Sequence, residues 1–355
     1  MNHDERTLSH LRHLHRPELR SFAFRGRGAG DFATWRDVAR PVLCELIGLG
    51  RLRDELGEFT PSVSQGEAAD LGDYTRRKCV LHSETTFDVP FWYLKPKGRG
   101  PFPVALFPHG HYDARGLDYA AGVASSEEMR RRIEEGDRDV GVQAVRNGFA
   151  AIAPATRGFP PTCIPDVTNR HGNRNCRSHL LHCLLHGRTV IGERVWDLQR
   201  LIDWALTEPD LDASDVLVMG NSGGGVAALY AAACDERITI AVASCSFCTF
   251  VGGNGAIHHC DCNAVPGILR FGESHDVAGL VAPRHLLVVH GRDDPLFPQE
   301  EIRRAVEGVR MHYAAAGAAS AFEQAWGDGG HRFYANIMWP FVAAALKRRS
   351  PENPL

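Results

Sequence analysis

The sequence Gly220-Asn221-Ser222-Gly223-Gly224-Gly225 decides the predicted fold. It directly follows the apolar run 216–219, which is typical of a buried strand, and it precedes the run 226–234, which has a helical composition. A turn this tight strains its central residue, and side chains two positions to either side would clash. The turn exposes the Ser222 hydroxyl beside a helix N-terminus, whose dipole favours developing negative charge. The pattern therefore predicts a nucleophilic serine.

A phosphate-binding turn is the main alternative interpretation of this glycine-rich segment. A dinucleotide-binding turn would need G-x-G-x-x-G, and a P-loop would need G-x-x-x-x-G-K-[ST]. The segment matches neither pattern, and no lysine follows it. A serine nucleophile still requires a base, because a free serine hydroxyl is a poor nucleophile.

Short apolar runs alternate with longer amphipathic stretches from about residue 78 onwards. This alternation predicts an α/β fold, with a mostly parallel central sheet and helices on both faces. The predicted strands are 78–83, 91–95, 104–108, 149–154, 216–220, 238–244, 285–290 and 322–326. The first two are expected to form a hairpin at the sheet edge. Apolar residues at helical spacing predict helices over 191–205 and 302–313.

Residues 1–75 are predicted to form a helical N-terminal extension packed on the main domain. They are polar and rich in arginine, but apolar residues recur at helical spacing from 38 to 49, up to Gly48 or Gly50. Residues 76–355 are predicted to form the catalytic domain. Two of its segments, 159–189 and 246–282, show no regular pattern and are predicted to be long loops, which are usually functional in a compact domain.

The composition argues against several classes of protein. A formal net charge of −3 offers no basic surface that would favour a nucleic acid. The N-terminal residues lack the apolar core of a secretory signal, and no stretch approaches the roughly 20 apolar residues of a membrane-spanning helix. Ten cysteines then indicate reduced thiols rather than disulfides. We predict a cytoplasmic protein that binds neither nucleic acid nor membrane and that can form a homo-oligomer.

Two later segments supply candidate partners for Ser222. After the strand 285–290, a carboxylate can point across the sheet edge and orient an imidazole. Asp294 is the preferred acid and Asp293 the alternative, although either could simply form a turn or cap a helix. The glycine-rich segment 327–330 then delivers His331 after the last strand. Serine, aspartate and histidine, in this order and each after a strand, predict a catalytic triad.

The segment His109-Gly110-His111 follows the strand 104–108. A tetrahedral intermediate needs two hydrogen-bond donors aimed at its oxyanion. The predicted donors are the backbone N–H of Gly223, the residue after the nucleophile, and that of His111. The imidazoles of His109 and His111 are interpreted as structural, and nothing in the sequence marks either as a metal ligand.

Cysteine and histidine residues are concentrated in or beside the two long segments. They comprise Cys163, Cys176, Cys183, Cys245, Cys248, His258, His259, Cys260 and Cys262. The spacing C-x-x-C, followed after a gap by C-x-C, differs from the paired C-x-x-C of zinc ribbons, and free cysteine is common in protein interiors. These residues are therefore predicted to line or support the substrate pocket, with His258 and His259 as candidate substrate contacts. Structural zinc remains the alternative.

Taken together, these motifs resemble the α/β-hydrolases of the dienelactone hydrolase and acetyl xylan esterase group. The resemblance extends from about residue 78 to the C-terminus. The matching segments are His109-Gly110-His111, Trp196-Asp197-Leu198-Gln199, Trp204, Pro209, 220–225, 291–298 and Gly330-His331. The resemblance implies Ser222 as nucleophile, Asp294 as acid and His331 as base, with oxyanion donors at His111 and Gly223. Two departures stand out: dienelactone hydrolases carry a cysteine nucleophile, and the cysteine- and histidine-rich segments differ from those of a plain acetyl xylan esterase.

The sequence thus predicts a serine hydrolase that cleaves a carboxylic ester of a small molecule through an acyl-enzyme, with no cofactor and no metal. An acetyl ester of a carbohydrate is one option for the substrate. Three alternatives stay open. They are an amidase or peptidase with the same triad, a non-catalytic binding protein of this fold, and a zinc-dependent hydrolase built on the cysteine and histidine cluster.

Overall fold

Nine strands form one sheet in the computed structural model, which describes residues 3–112 and 115–349. The strands are β1 (Ser62–Asp70), β2 (Tyr74–Glu84), β3 (Phe87–Pro96), β4 (Phe102–Leu106), β5 (Ala150–Pro154), β6 (Leu211–Asn221), β7 (Ile238–Ser244), β8 (His285–Gly291) and β9 (Phe322–Gly327). Their order across the sheet is β1-β2-β3-β5-β4-β6-β7-β8-β9. The pairs from β1 to β5 are antiparallel, and all the pairs from β5 to β9 are parallel.

The helices lie before, between and after these strands. They are α1 (His3–Leu14), α2 (Ala29–Leu46), α3 (Leu49–Leu56), α4 (Gly116–Ala120), α5 (Glu127–Glu135), α6 (Val140–Arg146), α7 (Asn175–His186), α8 (Val190–Ala205), α9 (Gly223–Cys234), α10 (Ile268–Phe271), α11 (Ser274–Gly279), α12 (Gln299–Ala315) and α13 (Ala335–Arg349). Short 3-10 helices span Pro17–Leu19, Asp261–Asn263 and Ala319–Ala321. In the described part of the chain, no helix has both the length and the apolar character needed to cross a bilayer.

The centre of the sheet is covered on both faces. Every residue of β5, β7 and β8 is buried, which explains why these strands are almost continuously apolar in sequence. On one side α8 and α11 each pack against α9, and α9 contacts β6 and β7. On the other side α6 contacts β3 and β5, and α13 contacts β7 and β8. The predicted α/β fold with two helical layers is confirmed.

The order of the strands indicates where along the sheet a ligand would bind. From β4 the chain passes to β5 on one side of β4 and then to β6 on its other side. In open α/β sheets, ligands bind outside the carboxyl ends of the strands at such a switch point. The loop after β4 and the turn after β6 therefore lie side by side. A Cβ atom placed on Gly110 would stand 3.0 Å from the Cβ atom of Ser222.

The N-terminal helices pack on the sheet domain, but the segment assigned to them is not wholly helical. Arg40 of α2 donates hydrogen bonds to the carbonyl oxygens of Ala233 and Leu280. The predicted extension ran to residue 75, whereas residues 62–70 form strand β1 at the sheet edge. The predicted hairpin 78–83 and 91–95 exists as β2 and β3, but it is not at the edge because β1 covers it. Because β1 is polar and almost entirely exposed, it lacks the apolar alternation that identifies a strand.

Both segments predicted to be long loops contain helices. The first, 159–189, includes α7, and the second, 246–282, includes α10, α11 and the 3-10 helix Asp261–Asn263. Helix α7 has many polar and histidine residues, so its sequence shows little amphipathic contrast. The predicted helices 191–205 and 302–313 correspond to α8 and α12.

Candidate active site

Ser222 occupies a sharp turn between β6 and α9. Its backbone angles, φ 56° and ψ −127°, lie outside the regions that residues with a side chain normally adopt. The backbone N–H of Ser222 donates to the carbonyl oxygen of Ser244 at 2.9 Å, which ties the turn to the end of β7. Because Ser222 immediately precedes α9, its side chain stands at the positive end of a buried helix.

The glycines around Ser222 are required by close backbone approach. A Cβ atom on Gly224 would stand 2.1 Å from the carbonyl oxygen of Pro108, in the loop after β4. A Cβ atom on Gly220 would stand 2.3 Å from the backbone of Gly224. Hydrogen alone fits at both positions, as the G-x-S-x-G pattern requires.

Asp294 and His331 meet at the same edge of the sheet. The Nδ1 atom of His331 lies 2.8 Å from Oδ2 of Asp294. The other oxygen, Oδ1, accepts the backbone N–H of Leu296 at 3.0 Å. The alternative acid, Asp293, is exposed, and its backbone N–H donates to the carbonyl oxygen of Gly329.

The surroundings of Asp294 keep it ionised. Burial opposes its charge, but the hydrogen bonds from His331 and from the backbone of Leu296 outweigh burial and hold the pKa of Asp294 below its ordinary value. An ionised acceptor on Nδ1 places the proton on that nitrogen. The Nε2 atom of His331 is then left as a base.

Ser222 and His331 line one cavity of about 500 Å³. Gly223 and His111, the predicted oxyanion donors, belong to the same wall. The fold therefore brings together four residues from three distant segments of the chain. Gly223 is the first residue of α9, so its backbone N–H is not used within the helix and can point to a ligand.

His109 and His111 have different surroundings. His109 is buried, and its Nε2 accepts the backbone N–H of Thr156 at 3.0 Å while its Nδ1 lies 2.9 Å from the carbonyl oxygen of Gly110. Burial lowers the pKa of His109 to about 4, so the ring is neutral and joins the loop after β4 to the end of β5. The ring of His111 instead points to cysteines, with its centroid 4.4 Å from that of Phe159.

Comparison with known proteins gives one distant relative and many similar structures. No protein-family model matches the chain. A Bacillus subtilis (strain 168) protein named "Putative hydrolase YtaP" is 25% identical over 256 residues, which are 68% of this chain and 78% of that protein. A structure described as "a putative acetyl xylan esterase" from Bacteroides fragilis NCTC 9343 superposes with a TM-score of 0.77 at 15% identity, covering 98% of this chain and 95% of that one. A glucuronoyl esterase from Solibacter usitatus superposes with a TM-score of 0.62 at 14% identity, covering 90% and 93%.

The chain has the α/β-hydrolase fold. Ser222, Asp294 and His331 follow β6, β8 and β9 in this fold, and all three stand at the carboxyl edge of the sheet. The order serine, acid, histidine along the chain is the order that this fold uses.

The two candidate substrate contacts lie on the wall of the α/β-hydrolase cavity. His258 and His259 are both partly exposed there. Nε2 of His259 lies 3.5 Å from Sγ of Cys248, and the ring centroid is 5.5 Å from that of Phe297. The desolvation of His259 lowers its pKa to about 4, so at neutral pH this ring is an uncharged wall of the cavity.

Several other residues line this cavity and were not singled out from the sequence. They are Arg174, Val226, Asn263, Leu296 and Phe297. They come from four separate segments; Val226 follows the motif 220–225, Leu296 and Phe297 lie within 291–298, and Arg174 and Asn263 lie in segments without a recognised motif. Arg174 is the charged member of this group, and it stands immediately before α7, inside a segment predicted to be a loop.

Four of the cysteine and histidine residues converge beside the cavity. Sγ of Cys176 lies 3.4 Å from Nε2 of His111 and 3.9 Å from Sγ of Cys260, and Sγ of Cys262 lies 3.7 Å from the same Nε2. We call these four residues the thiol–imidazole cluster. The remaining cysteines in or beside the two segments lie elsewhere. Cys245, for example, lies close to Asp294 and His331, and Cys183 lies close to Glu193.

Proposed function

We propose that this protein is a serine esterase that hydrolyses a carboxylic ester through an acyl-enzyme. The observation that carries the proposal is the arrangement of three groups at one cavity. Ser222 is held on a strained turn, His331 lines the same cavity, and Asp294 lies 2.8 Å from the far nitrogen of that imidazole.

The proposed reaction begins when Ser222 Oγ attacks the ester carbonyl carbon and His331 Nε2 accepts the hydroxyl proton. The carbonyl oxygen becomes an oxyanion, which receives hydrogen bonds from the backbone N–H groups of Gly223 and His111. The C–O bond of the ester then breaks, and the alcohol leaves with the proton from Nε2. Water attacks the acyl-enzyme by the same route, releasing the acid and restoring Ser222.

The similar structures support this class of reaction and suggest a class of substrate. Two of them are described as "a putative acetyl xylan esterase" and a glucuronoyl esterase, and both descriptions name an ester of a carbohydrate as the substrate. A cavity of about 500 Å³ suits a small or medium-sized ester. A carbohydrate acetyl ester is therefore the first substrate to test.

Two sets of chromogenic substrates separate the esterase from the amidase or peptidase alternative. We expect hydrolysis of p-nitrophenyl acetate and of acetylated sugars to exceed that of aminoacyl p-nitroanilides. A clear preference for the anilides would overturn the assignment to esters.

A fluorophosphonate probe tests the nucleophile directly. We expect the probe to label Ser222, and peptide mapping should place the adduct on the fragment that contains residues 220–225. The variant S222A should keep its melting temperature and lose both labelling and turnover. Wild-type protein that folds but shows neither labelling nor turnover of any ester would instead favour the non-catalytic binding protein.

The cytoplasmic location and the homo-oligomer remain predictions that accompany this proposal. Cell fractionation tests the first, and light scattering coupled to size-exclusion chromatography tests the second. We expect no retention on nucleic acid or on lipid vesicles.

A further inference from the structure

The thiol–imidazole cluster joins three parts of the fold beside the proposed oxyanion hole. His111 follows β4, Cys176 lies in the first turn of α7, and Cys260 and Cys262 flank the first residue of the 3-10 helix Asp261–Asn263. The imidazole nitrogen and the three sulfurs all lie within 4.8 Å of one another. Such convergence of four ligand atoms onto one point is unusual for thiols that serve only as apolar packing groups.

The distances between these atoms match those of a tetrahedral metal site. With Zn–S bonds of about 2.3 Å and a Zn–N bond of about 2.0–2.1 Å, a tetrahedron places two sulfurs about 3.8 Å apart and a sulfur about 3.6 Å from the nitrogen. The corresponding separations here are 3.9 Å between the sulfurs of Cys176 and Cys260, and 3.4 and 3.7 Å from sulfur to nitrogen. These three separations agree with a tetrahedral site, and the other three distances among the four atoms are all within 4.8 Å.

We propose that the thiol–imidazole cluster binds one zinc ion in a closed, structural site. Three thiolates and one imidazole form a ligand set that selects zinc among the common divalent ions. Because the protein supplies all four ligands, no position is open for a catalytic water, and the ion acts on structure. This proposal replaces our sequence-based interpretation, in which these residues only lined or supported the pocket. Their spacing failed to reveal the site because one ligand lies some 65 residues before the next along the chain.

The charge of Arg194 supplies an independent argument. This residue is 2% exposed, its Nε donates to the carbonyl oxygen of Arg157 at 3.0 Å and its guanidinium lies 4.5 Å from the ring centroid of Phe159, while no carboxylate is among its partners in the described part of the chain. Its Nη2 lies 3.6 Å from Sγ of Cys262, and its Nη1 donates to Oδ1 of Asn263 at 3.0 Å. A buried guanidinium without a counter-charge is costly. Three thiolates around a divalent ion carry a net negative charge, which this arginine would offset.

A disulfide is the competing use of these thiols. A bond between Cys176 and Cys260 would need their sulfurs to move from 3.9 Å to about 2.05 Å apart. A disulfide would also not explain why the sulfur of Cys262 and the nitrogen of His111 lie close to these two sulfurs. The tetrahedral arrangement accounts for all four groups.

Zinc at Nε2 of His111 also bears on the proposed esterase, and this consequence rests on the proposed function. A metal at Nε2 leaves the proton on Nδ1 and fixes the orientation of the ring. The loop after β4, which carries the backbone N–H proposed as an oxyanion donor, is then anchored to α7 and to the segment 260–262. His111 thus acts through the ion as a positioning residue for that loop.

Metal analysis tests the site in the full-length protein, purified under reducing conditions with zinc in the medium. We expect one zinc per chain, and little in C176S and C262S. The control is C163S. Cys163 lies in the same segment as Cys176, but its sulfur accepts a hydrogen bond from Asn175 and is not part of the cluster, so this variant should keep the zinc. The nucleophile variant S222A should also keep it, so a failed esterase proposal and a failed zinc proposal give different results.

Cobalt substitution keeps the test decisive if a cysteine variant fails to fold. Wild-type apoprotein reconstituted with cobalt should show the intense ligand-field and thiolate charge-transfer bands of a tetrahedral site, and zinc should bleach them. R194Q should bind zinc about 10–100-fold more weakly than wild type. The proposal would be overturned if reduced wild-type protein contained no zinc and gave no cobalt spectrum. Full zinc content in C262S would also overturn it, and so would a disulfide between Cys176 and Cys260 in protein purified under reducing conditions.

Discussion

At the scale of single residues, two adjacent aspartates have very different environments. Asp294 is buried and accepts hydrogen bonds from His331 and from the backbone of Leu296, whereas Asp293 is exposed. Only Asp294 can hold the imidazole in the tautomer that leaves Nε2 free to accept a proton. Adjacent side chains in an irregular segment point in different directions. Two neighbouring aspartates can therefore differ completely in whether they reach the imidazole of His331.

This difference yields the first prediction. We expect D294N to lower kcat for p-nitrophenyl acetate by about 10⁴-fold, because the amide can donate to Nδ1 and stabilise the wrong tautomer. The matched control D293N should stay within a few-fold of wild type. Steady-state kinetics with melting curves for both variants will check this, and equal losses in the two would remove Asp294 from the proposed triad.

At the scale of elements, the turn between β6 and α9 is packed directly against the loop after β4. Gly224 is the point of contact, since a Cβ atom there would overlap the carbonyl oxygen of Pro108 at 2.1 Å. Backbone atoms cannot turn aside as a flexible side chain can, so the loop and the helix would have to separate. The position of Ser222 relative to the loop after β4 thus depends on the absence of a Cβ atom at Gly224.

The second prediction follows from this contact. G224A should destabilise the protein by about 1–3 kcal/mol or more through overpacking, and it should also lower esterase activity by displacing the turn. G30A, in the first turn of α2 with no atom near its Cβ position, should be neutral or slightly stabilising. Urea denaturation of the two variants provides the comparison, and a G224A protein as stable and active as wild type would contradict the packing argument.

A buried ion-pair network joins other elements beneath the site. Arg157, just after β5, makes two hydrogen bonds of 2.7 Å to Asp197 of α8 and also contacts Glu84 at the end of β2. Arg157 is 2% exposed and Asp197 is 3% exposed. Through Asp197, the network holds helix α8 to the sheet.

The third prediction concerns this network. R157M should cost about 3–5 kcal/mol, because it leaves the buried carboxylate of Asp197 without its ion-pair partner. R130M breaks an exposed pair with Glu127 and should change the stability by no more than about 1 kcal/mol. The free energy of unfolding of each variant, measured in urea and compared with that of wild type, tests whether the buried pairs of Arg157 contribute more to stability than an exposed pair. Similar losses in the two variants would show that they do not.

At the scale of the whole molecule, buried histidines connect stability to pH. Burial lowers the pKa of both His109 and His290 to about 4, from an ordinary value of 6.5. Between these two values the unfolded chain binds protons that the folded protein does not, so the free energy of unfolding falls as the pH falls through this window. Glu193 affects stability only at lower pH. Against the opposing effect of burial, the hydrogen bond from His179 and the charge of Arg157 lower the pKa of Glu193 to about 2, and its contribution is lost below its ordinary value of 4.5.

The fourth prediction is therefore a loss of stability between pH 7 and pH 5, on the order of 1–2 kcal/mol for each of these two histidines. H290N should reduce this pH dependence, whereas H10N, on the exposed surface of α1, should leave it unchanged. Urea midpoints measured at several pH values provide the test. A stability that is constant or rises on acidification would show that these rings are not held neutral in the folded state.

Much of the sheet could be predicted because its strands are buried on both faces. Strands such as β7 and β8 are apolar at nearly every position, and such runs stand out from the polar turns around them. Strand β1 could not be predicted, because backbone hydrogen bonds to β2 hold it and its exposed side chains follow no pattern. Helix α7 was missed for a related reason, since its apolar and polar residues are not separated onto two faces.

The sequence alone determined the central sheet, the strained turn at Ser222 and the identity of Asp294 and His331 as candidate partners, because each depends on local patterns that follow a strand. Only the tertiary structure decided which residues share the cavity, and that His111, Cys176, Cys260 and Cys262 meet at one point. The physical reason is that local patterns reflect the backbone and its immediate burial. A cavity wall or a set of converging ligands instead depends on how distant segments pack against one another, and spacing along the chain does not record that packing.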